Sequence, residues 1–305
     1  MSDFTVVFVG GLGRSGSTLI ERALGELPGV CSVGELVHLW QRGLIDNERC
    51  GCGAPFSGCA FWRDVGWRAF GGWHCLDPDD ILALRASVDR TRYVPWLLGR
   101  TPSPALAARL CHYTDLYDHV YAAIASVSGC DVVVDSSKHA SLAACLRHRY
   151  GERMRVVHVV RDPRAVAHAW GKRVPRPDAT PTSPEQEMAR YSPGRAAVQW
   201  TAQNAVFAAL ARTEVPVHRV RYEDFVAAPA ARFAEVAGFI GHQGELPITA
   251  DGHVYLSTTH TVSGNPTRFR TGAVAVRADD TWREELAPRD RALVAAMTLP
   301  FRMCY

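Results

Sequence analysis

The chain reads as an α/β protein, a mainly parallel sheet flanked by helices, and three observations lead there. Thr5 to Val9, mostly β-branched or aromatic, runs into a glycine-rich turn, and the apolar spacing from Leu19 to Leu27 suits a helix, which gives strand, loop, helix. Val132–Asp135 and Arg155–Val160 are short apolar runs, each followed by a helical pattern, the βαβ rhythm of a parallel sheet. Polar residues cluster directly after Val9, Val134, Val160 and Val220, the carboxyl ends of four expected strands. Open α/β sheets bind their ligands at that edge, so the four clusters are expected to face one site.

Taken in order, the first strand and helix are followed by Val30–Val33, after which residues 34–40 leave the sheet. Residues 50–75 are rich in Gly, Cys and Trp and read as an irregular segment packed on Phe61, Trp62, Trp67, Phe70 and Trp73, rings that either fill a core or line an acceptor pocket. Asp77 to Val127 is helical, with Asp77-Pro78 as a start signal and Pro102 to Pro104 as a break. Strands are expected at 132–135, 155–160 and 215–220. A mobile loop is expected at 173–184, a long helix from Pro184 to Arg212 with a break at Pro193-Gly194, and a helix at 229–241. A polar loop from Tyr255 to Gly272 and a closing helix from Asp280 to Met297 complete the chain.

The 305 residues suffice for one large domain spanning 1–305, and 47% apolar with 21% charged residues describes a globular chain. No apolar run reaches the ~18 residues that span a bilayer. The first strand begins too early to leave room for a signal peptide, so a cytoplasmic location is expected. A net charge of +3 argues for local anion sites and against nucleic acid. Most of the nine cysteines should then be reduced thiols. Cys50, Cys52 and Cys59, in RCGCGAPFSGCAFW, do not have a standard zinc spacing. A fourth ligand would have to come from Cys75, His74 or His38, with a disulfide or plain packing as the alternatives.

The first loop admits three readings. Gly11, Gly13 and Gly16 match the dinucleotide fingerprint, with Glu35 about 20 residues on as the ribose-binding acid. Gly11 and Gly16 also have Walker A spacing, but Ser17 stands where that motif has its lysine. The third reading is a phosphosulfate loop, with Arg14 as the cation. Here GRSGSTLIERAL resembles the PAPS-dependent sulfotransferases, of the bacterial, carbohydrate and tyrosylprotein-like type, PAPS being 3′-phosphoadenosine 5′-phosphosulfate. Three later strings resemble the same family in family order: VVHVVRDPRAVAHAW, VRYEDF and TVSGNPTRFRTG. Neither rival reading accounts for those three.

The resemblance implies a P-loop-like three-layer fold with a helical and aromatic insertion, residues 40–130, on the acceptor side. It implies sulfuryl transfer from PAPS to a hydroxyl of a small-molecule acceptor (a sugar, a phenol or a natural product), with release of PAP. Gly13, Arg14, Ser15, Gly16, Ser17 and Thr18 would hold the 5′-phosphosulfate. Arg161 would grip the 3′-phosphate, and Tyr222 would border the adenine. Gly264, Asn265, Arg268 and Arg270 would close over the nucleotide, the two arginines able to contact phosphate in bidentate fashion. The family's serine eight residues after that arginine is Ala169 here, a lost contact for which Lys172, Arg164 or His168 would substitute. Arg14 and Lys138 would stabilise charge on the bridging oxygen, and Glu35 would take the acceptor's proton, with His38 as the competing base. PAPS arrives activated, so no metal is required. The alternatives are a P-loop kinase-like or dinucleotide-binding enzyme and an inactive PAP-binding module.

Overall fold

The computed structural model describes residues 4–99, 102–179 and 185–302. At its centre lies β1 (Thr5–Gly10), in a parallel sheet of order β2-β3-β1-β4-β5, with β2 at Val30–Ser32, β3 at Val132–Lys138, β4 at Met154–Val160 and β5 at Val217–Arg221. Side chains alternate across a strand, and β1 shows both destinations. Val6 and Phe8 enter one apolar layer, while Val7 and Val9 enter the other. A strand buried on both sides needs an unbroken apolar run, which is what Val6–Val9 supplies.

Against the Val7 and Val9 face lies α1 (Ser17–Leu24), through Ile20, Ala23 and Leu24. The opposite face carries most of the chain up to residue 150: a π-helical turn at Leu39–Ile45, α2 (Ala60–Phe70), α3 (Pro78–Val88), α4 (Val94–Leu98), α5 (Pro104–Ser128) and α6 (Ala140–Tyr150). On α5, Tyr113, Tyr117 and Tyr121 recur every fourth residue and so form one buried row. Its last member donates to Asp135 at 2.6 Å. Trp62 is fully buried, with the Phe56 ring stacked on it at 5.4 Å and Trp73 donating to its carbonyl at 2.8 Å. These three rings fill a core; Trp67 is the exposed exception.

After β4 come α7 (Pro163–Gly171) and α8 (Pro193–Leu210), and after β5 come α9 (Tyr222–Ala227) and α10 (Pro229–Phe239). The helix expected from Pro184 starts instead at Pro193. Proline suits the first helical position, where its missing N–H has no partner to lose, and Ser192 caps the end by accepting from Arg195 N at 3.4 Å. The segment expected as a mobile loop is tied at its described parts. Pro175 bridges Glu187, Arg176 N donates to Gln186 O, and Met188 N donates to Val174 O. Its residues 180–184 lie outside the described residues.

The polar loop of 255–272 is more ordered than its composition suggests. It starts in β6 (His253–Leu256) and ends in β7 (Gly272–Ala275), paired antiparallel, and the excursion between them runs beside β2. There Val262 N donates to Val33 O and Glu35 N to Val262 O. The closing helix is two, α11 (Trp282–Glu285) and α12 (Pro288–Arg302), separated at Pro288. Cys50, Cys52 and Cys59 meet His260 of the excursion, not Cys75, His74 or His38. Among the described residues no helix is long and apolar enough to cross a membrane.

Candidate functional site

The loop between β1 and α1 has glycine where nothing else fits. Gly11 has φ 126°, and a Cβ there would lie 2.2 Å from the Val159 carbonyl. Gly16 has φ 93°, and its Cβ would enter the Tyr222 ring at 2.6 Å. Among the described residues, the N–H groups of Gly13 to Thr18 donate to no protein acceptor. They stand at the positive end of α1, an arrangement suited to an anion. Ser15 and Ser17 are buried in this cradle.

Arg14 sits in the loop with a left-handed backbone, φ 74°. Its guanidinium lies over Trp170, 5.5 Å from the ring centroid, and donates to Met188 Sδ at 3.2 Å. Trp170 in turn donates to Gly13 O at 2.9 Å, so α7 and the tied segment behind it form a wall of the cradle. Burial lowers the Arg14 pKa, and the negative charge of Glu35 opposes that fall.

Lys138 ends β3 beside the loop, where Gly11 N donates to its carbonyl at 3.3 Å. It too has positive φ, 67°, and its ammonium forms an ion pair with Glu35 Oε1. Non-glycine residues persist in this conformation only when their surroundings hold them. Arg14, Lys138 and Ser263 are three of the four such positions among the described residues, and all three adjoin the Glu35 region.

Glu35 is placed by the end of β3. Ser137 hydroxyl donates to Asp135 at 2.5 Å and accepts from Val37 N at 2.9 Å, and Asp135 also accepts from Leu36 N at 3.4 Å. Arg85 holds the Val37 carbonyl at 3.0 Å. His38 Nε2 lies 3.5 Å from Glu35 Oε2, and burial followed by the charge of Arg42 holds its pKa well below the usual imidazole value, which leaves it neutral. Beneath Lys138, Glu21 of α1 accepts from Gly34 N at 3.3 Å; burial pushes its carboxyl up to about 7 against the pull of Lys138. Burial likewise pushes Asp135 up to about 6.

Arg161 directly follows β4 and is buried. It donates to Arg14 O at 3.3 Å, stacks 4.4 Å over the Tyr222 ring, and reaches Asp279 through the carbonyl at 2.7 Å and the carboxylate at 3.3 Å. Tyr222 lies between this guanidinium and Gly16, its hydroxyl donating to Arg277 O at 3.2 Å. The residues expected to substitute for a serine at Ala169 are engaged elsewhere. Arg164 binds Asp162, while His168 and Lys172 face Glu285 at 3.0 and 3.7 Å.

The late string divides. A Cβ on Gly264 would lie 3.3 Å from Glu35 Oε1, which puts this residue against the carboxylate. Asn265 caps the turn at Pro266–Phe269, and Arg270 is exposed. Arg268 is spent internally, its guanidinium buried between Thr261 O at 2.6 Å, Arg49 O at 2.6 Å and Asp178 Oδ2 at 3.3 Å. Its Nη groups are taken by protein acceptors, which counts against the phosphate contact expected of Arg268. Sequence reasoning missed Glu21, Asp135 and Asp279. The first two lie within strings already singled out, but burial, which makes them matter, leaves no mark on spacing.

No protein-family model matches the chain, and no curated protein does. Solved structures do. A sulfotransferase domain from the olefin synthase of Synechococcus PCC 7002 superimposes with a TM-score of 0.53 at 20% identity, covering 100% of this chain and 96% of that one. A sulfotransferase domain from the curacin biosynthetic pathway does so with 0.50 at 16%, covering 99% and 98%. The sheet order, the glycine loop and near-complete mutual coverage lead to one conclusion: this chain has the fold of the sulfotransferase domains.

Proposed function

We propose that the chain is a cytoplasmic sulfotransferase that moves the sulfuryl group of PAPS to a hydroxyl of a small molecule and releases PAP. The observation that carries this reading is the meeting of Lys138, Glu35 and the Arg14 loop at one sheet edge of a sulfotransferase fold. The donor fits the residues present. Unpartnered amides from Gly13 to Thr18 suit the 5′-phosphosulfate, and the Arg161–Tyr222 pair suits the 3′-phosphate and adenine once Asp279 gives way.

In the reaction the sulfur–oxygen bond to phosphate breaks, the acceptor oxygen takes the sulfur, and the acceptor proton passes to Glu35. Lys138 and Arg14 supply the positive charge that the departing phosphate oxygen requires, worth about 3 kcal/mol of barrier per strong donor. Residues 40–130 form the acceptor side: Arg85 among them holds the Val37 carbonyl next to His38, which itself lies 3.5 Å from Glu35. The test is calorimetric titration with PAP, AMP, magnesium ATP and NAD, followed by PAP release from PAPS in the presence of phenolic and sugar acceptors. Metal-independent binding of PAP in preference to the others is expected; preference for ATP or NAD would overturn the reading.

A further inference from the structure

Cys50 and Cys52 stand on a tight turn closed by Cys50 N to Ala54 O and Gly53 N to Cys50 O, both at 2.8 Å, and Cys59 follows it just ahead of α2. The fold brings His260, 201 residues beyond Cys59, against all three. Its Nδ1 lies 3.2 Å from Cys59 Sγ and 3.8 Å from Cys50 Sγ, and Cys52 Sγ lies 3.8 Å from Cys59 Sγ. All four ligand atoms fall within 4.8 Å of one another.

A tetrahedral zinc site with bonds of ~2.3 Å to sulfur and ~2.0 Å to nitrogen spaces its ligands by ~3.8 Å between sulfurs and ~3.5 Å between sulfur and nitrogen. The observed separations lie around those values. A disulfide requires sulfurs at ~2.05 Å and would use only two of the four groups. Cys50 and Cys59 are buried, Trp62 holds the His260 backbone by donating to its carbonyl at 2.8 Å, and Phe61 stacks on the imidazole at 4.8 Å. Packing around the ligands is the usual means of fixing their direction.

We propose that Cys50, Cys52, Cys59 and His260 bind one zinc ion through three thiolates and Nδ1. Four protein ligands leave no open position, so the ion is structural and takes no part in transfer chemistry. It ties the cysteine turn to the 257–270 excursion. Gly51 N donates to Thr261 O at 3.0 Å, Val262 pairs with Gly34, and Gly264 then lies against Glu35. The ion thereby fixes one wall of the Glu35 site from outside it. This inference stands whether or not the chain transfers sulfuryl.

The test is the metal content of the untagged full chain, purified under reducing conditions. About one zinc per chain is expected in the native protein, at least tenfold less in a Cys52→Ser, Cys59→Ser double variant, and no change in Cys111→Ser, an exposed thiol. His260→Cys, which offers a fourth thiolate, keeps the metal. Should the double variant not fold, the native protein still decides: exchange of its metal for cobalt(II) gives thiolate-to-cobalt charge-transfer bands and tetrahedral visible bands. A reduced native chain that holds no zinc and gives no such bands with cobalt would overturn the proposal, as would a Cys52–Cys59 disulfide in the freshly isolated protein.

Discussion

With Arg161 proposed to receive the 3′-phosphate, its ion pair with Asp279 would compete with that phosphate, and removing the carboxylate should strengthen PAP binding. The pair is 3.3 Å apart, with the arginine side chain 8% exposed and the aspartate 44% exposed. Two unit charges at about that distance attract by ~1 kcal/mol in water and by ~4 kcal/mol at an effective dielectric of ~20. A half-exposed partner belongs near the lower bound, so about 1.4 kcal/mol, or roughly tenfold in affinity, is the expected gain. Asp279→Ala keeps the backbone carbonyl that Arg161 also binds at 2.7 Å, so the segment is not set loose. Calorimetry at low salt should show PAP binding about tenfold tighter, AMP unchanged, and no gain when Arg161→Ala is already present. Equal gains for PAP and AMP, or weaker PAP binding, would refute the assignment of Arg161 to the 3′-phosphate.

Glu35→Gln should lower turnover by ~100-fold or more while PAP binding holds, as measured by PAP release and calorimetry; if His38→Ala alone has that effect, the base is His38. The Glu21 carboxyl, raised by burial to about 7 from its ordinary 4.5, keeps in the folded state a proton that the unfolded chain loses. Its contribution therefore weakens stability as pH rises through that window, by up to about 3 kcal/mol, and Glu21→Gln should flatten this part of the curve in denaturant titrations from pH 4.5 to 8. Curves that stay parallel would remove Glu21 from the account. Arg268→Ala should cost about 3–5 kcal/mol by leaving buried Asp178 with only the longer Arg176 contact and the Thr261 and Arg49 carbonyls without this donor, seen as a lower denaturation midpoint, and leave PAP affinity of the folded fraction unaltered.

What the sequence disclosed was whatever leaves a local mark: an unbroken apolar run, a helical repeat, a glycine turn or a polar cluster at a strand end. The strands around Val6–Val9 and Val156–Val160, the loop at Gly11 and Gly16, and the polar strand ends at Lys138 and Arg161 were all legible that way. The excursion at 257–270 was not. It is held by guanidinium groups that bind backbone carbonyls: Arg22 to Arg268 O at 2.6 Å and to Ser257 O at 2.5 Å, and Arg268 to Thr261 O. The two Arg22 contacts join residues more than two hundred positions apart, and none of the three imposes a local pattern. For the same reason Arg268 looked like a phosphate ligand until its neighbours were known, and His260 was invisible as a companion to Cys59. Pro193 misled in the opposite sense, since the residue that breaks a helix interior also begins a helix well.

Arg268 shares its burial with Glu48, Arg176 and Asp178: Arg176 pairs with Glu48, its Nε lies 3.6 Å from Asp178, and Asp178 receives Arg268 at 3.3 Å. Two positive and two negative side chains thus cancel inside the fold, and loss of any one leaves a charge stranded. The consequence concerns inheritance. These four positions should pass between related chains as a unit, kept together or replaced together by apolar residues, with single exchanges absent from descent because each intermediate is the costly state.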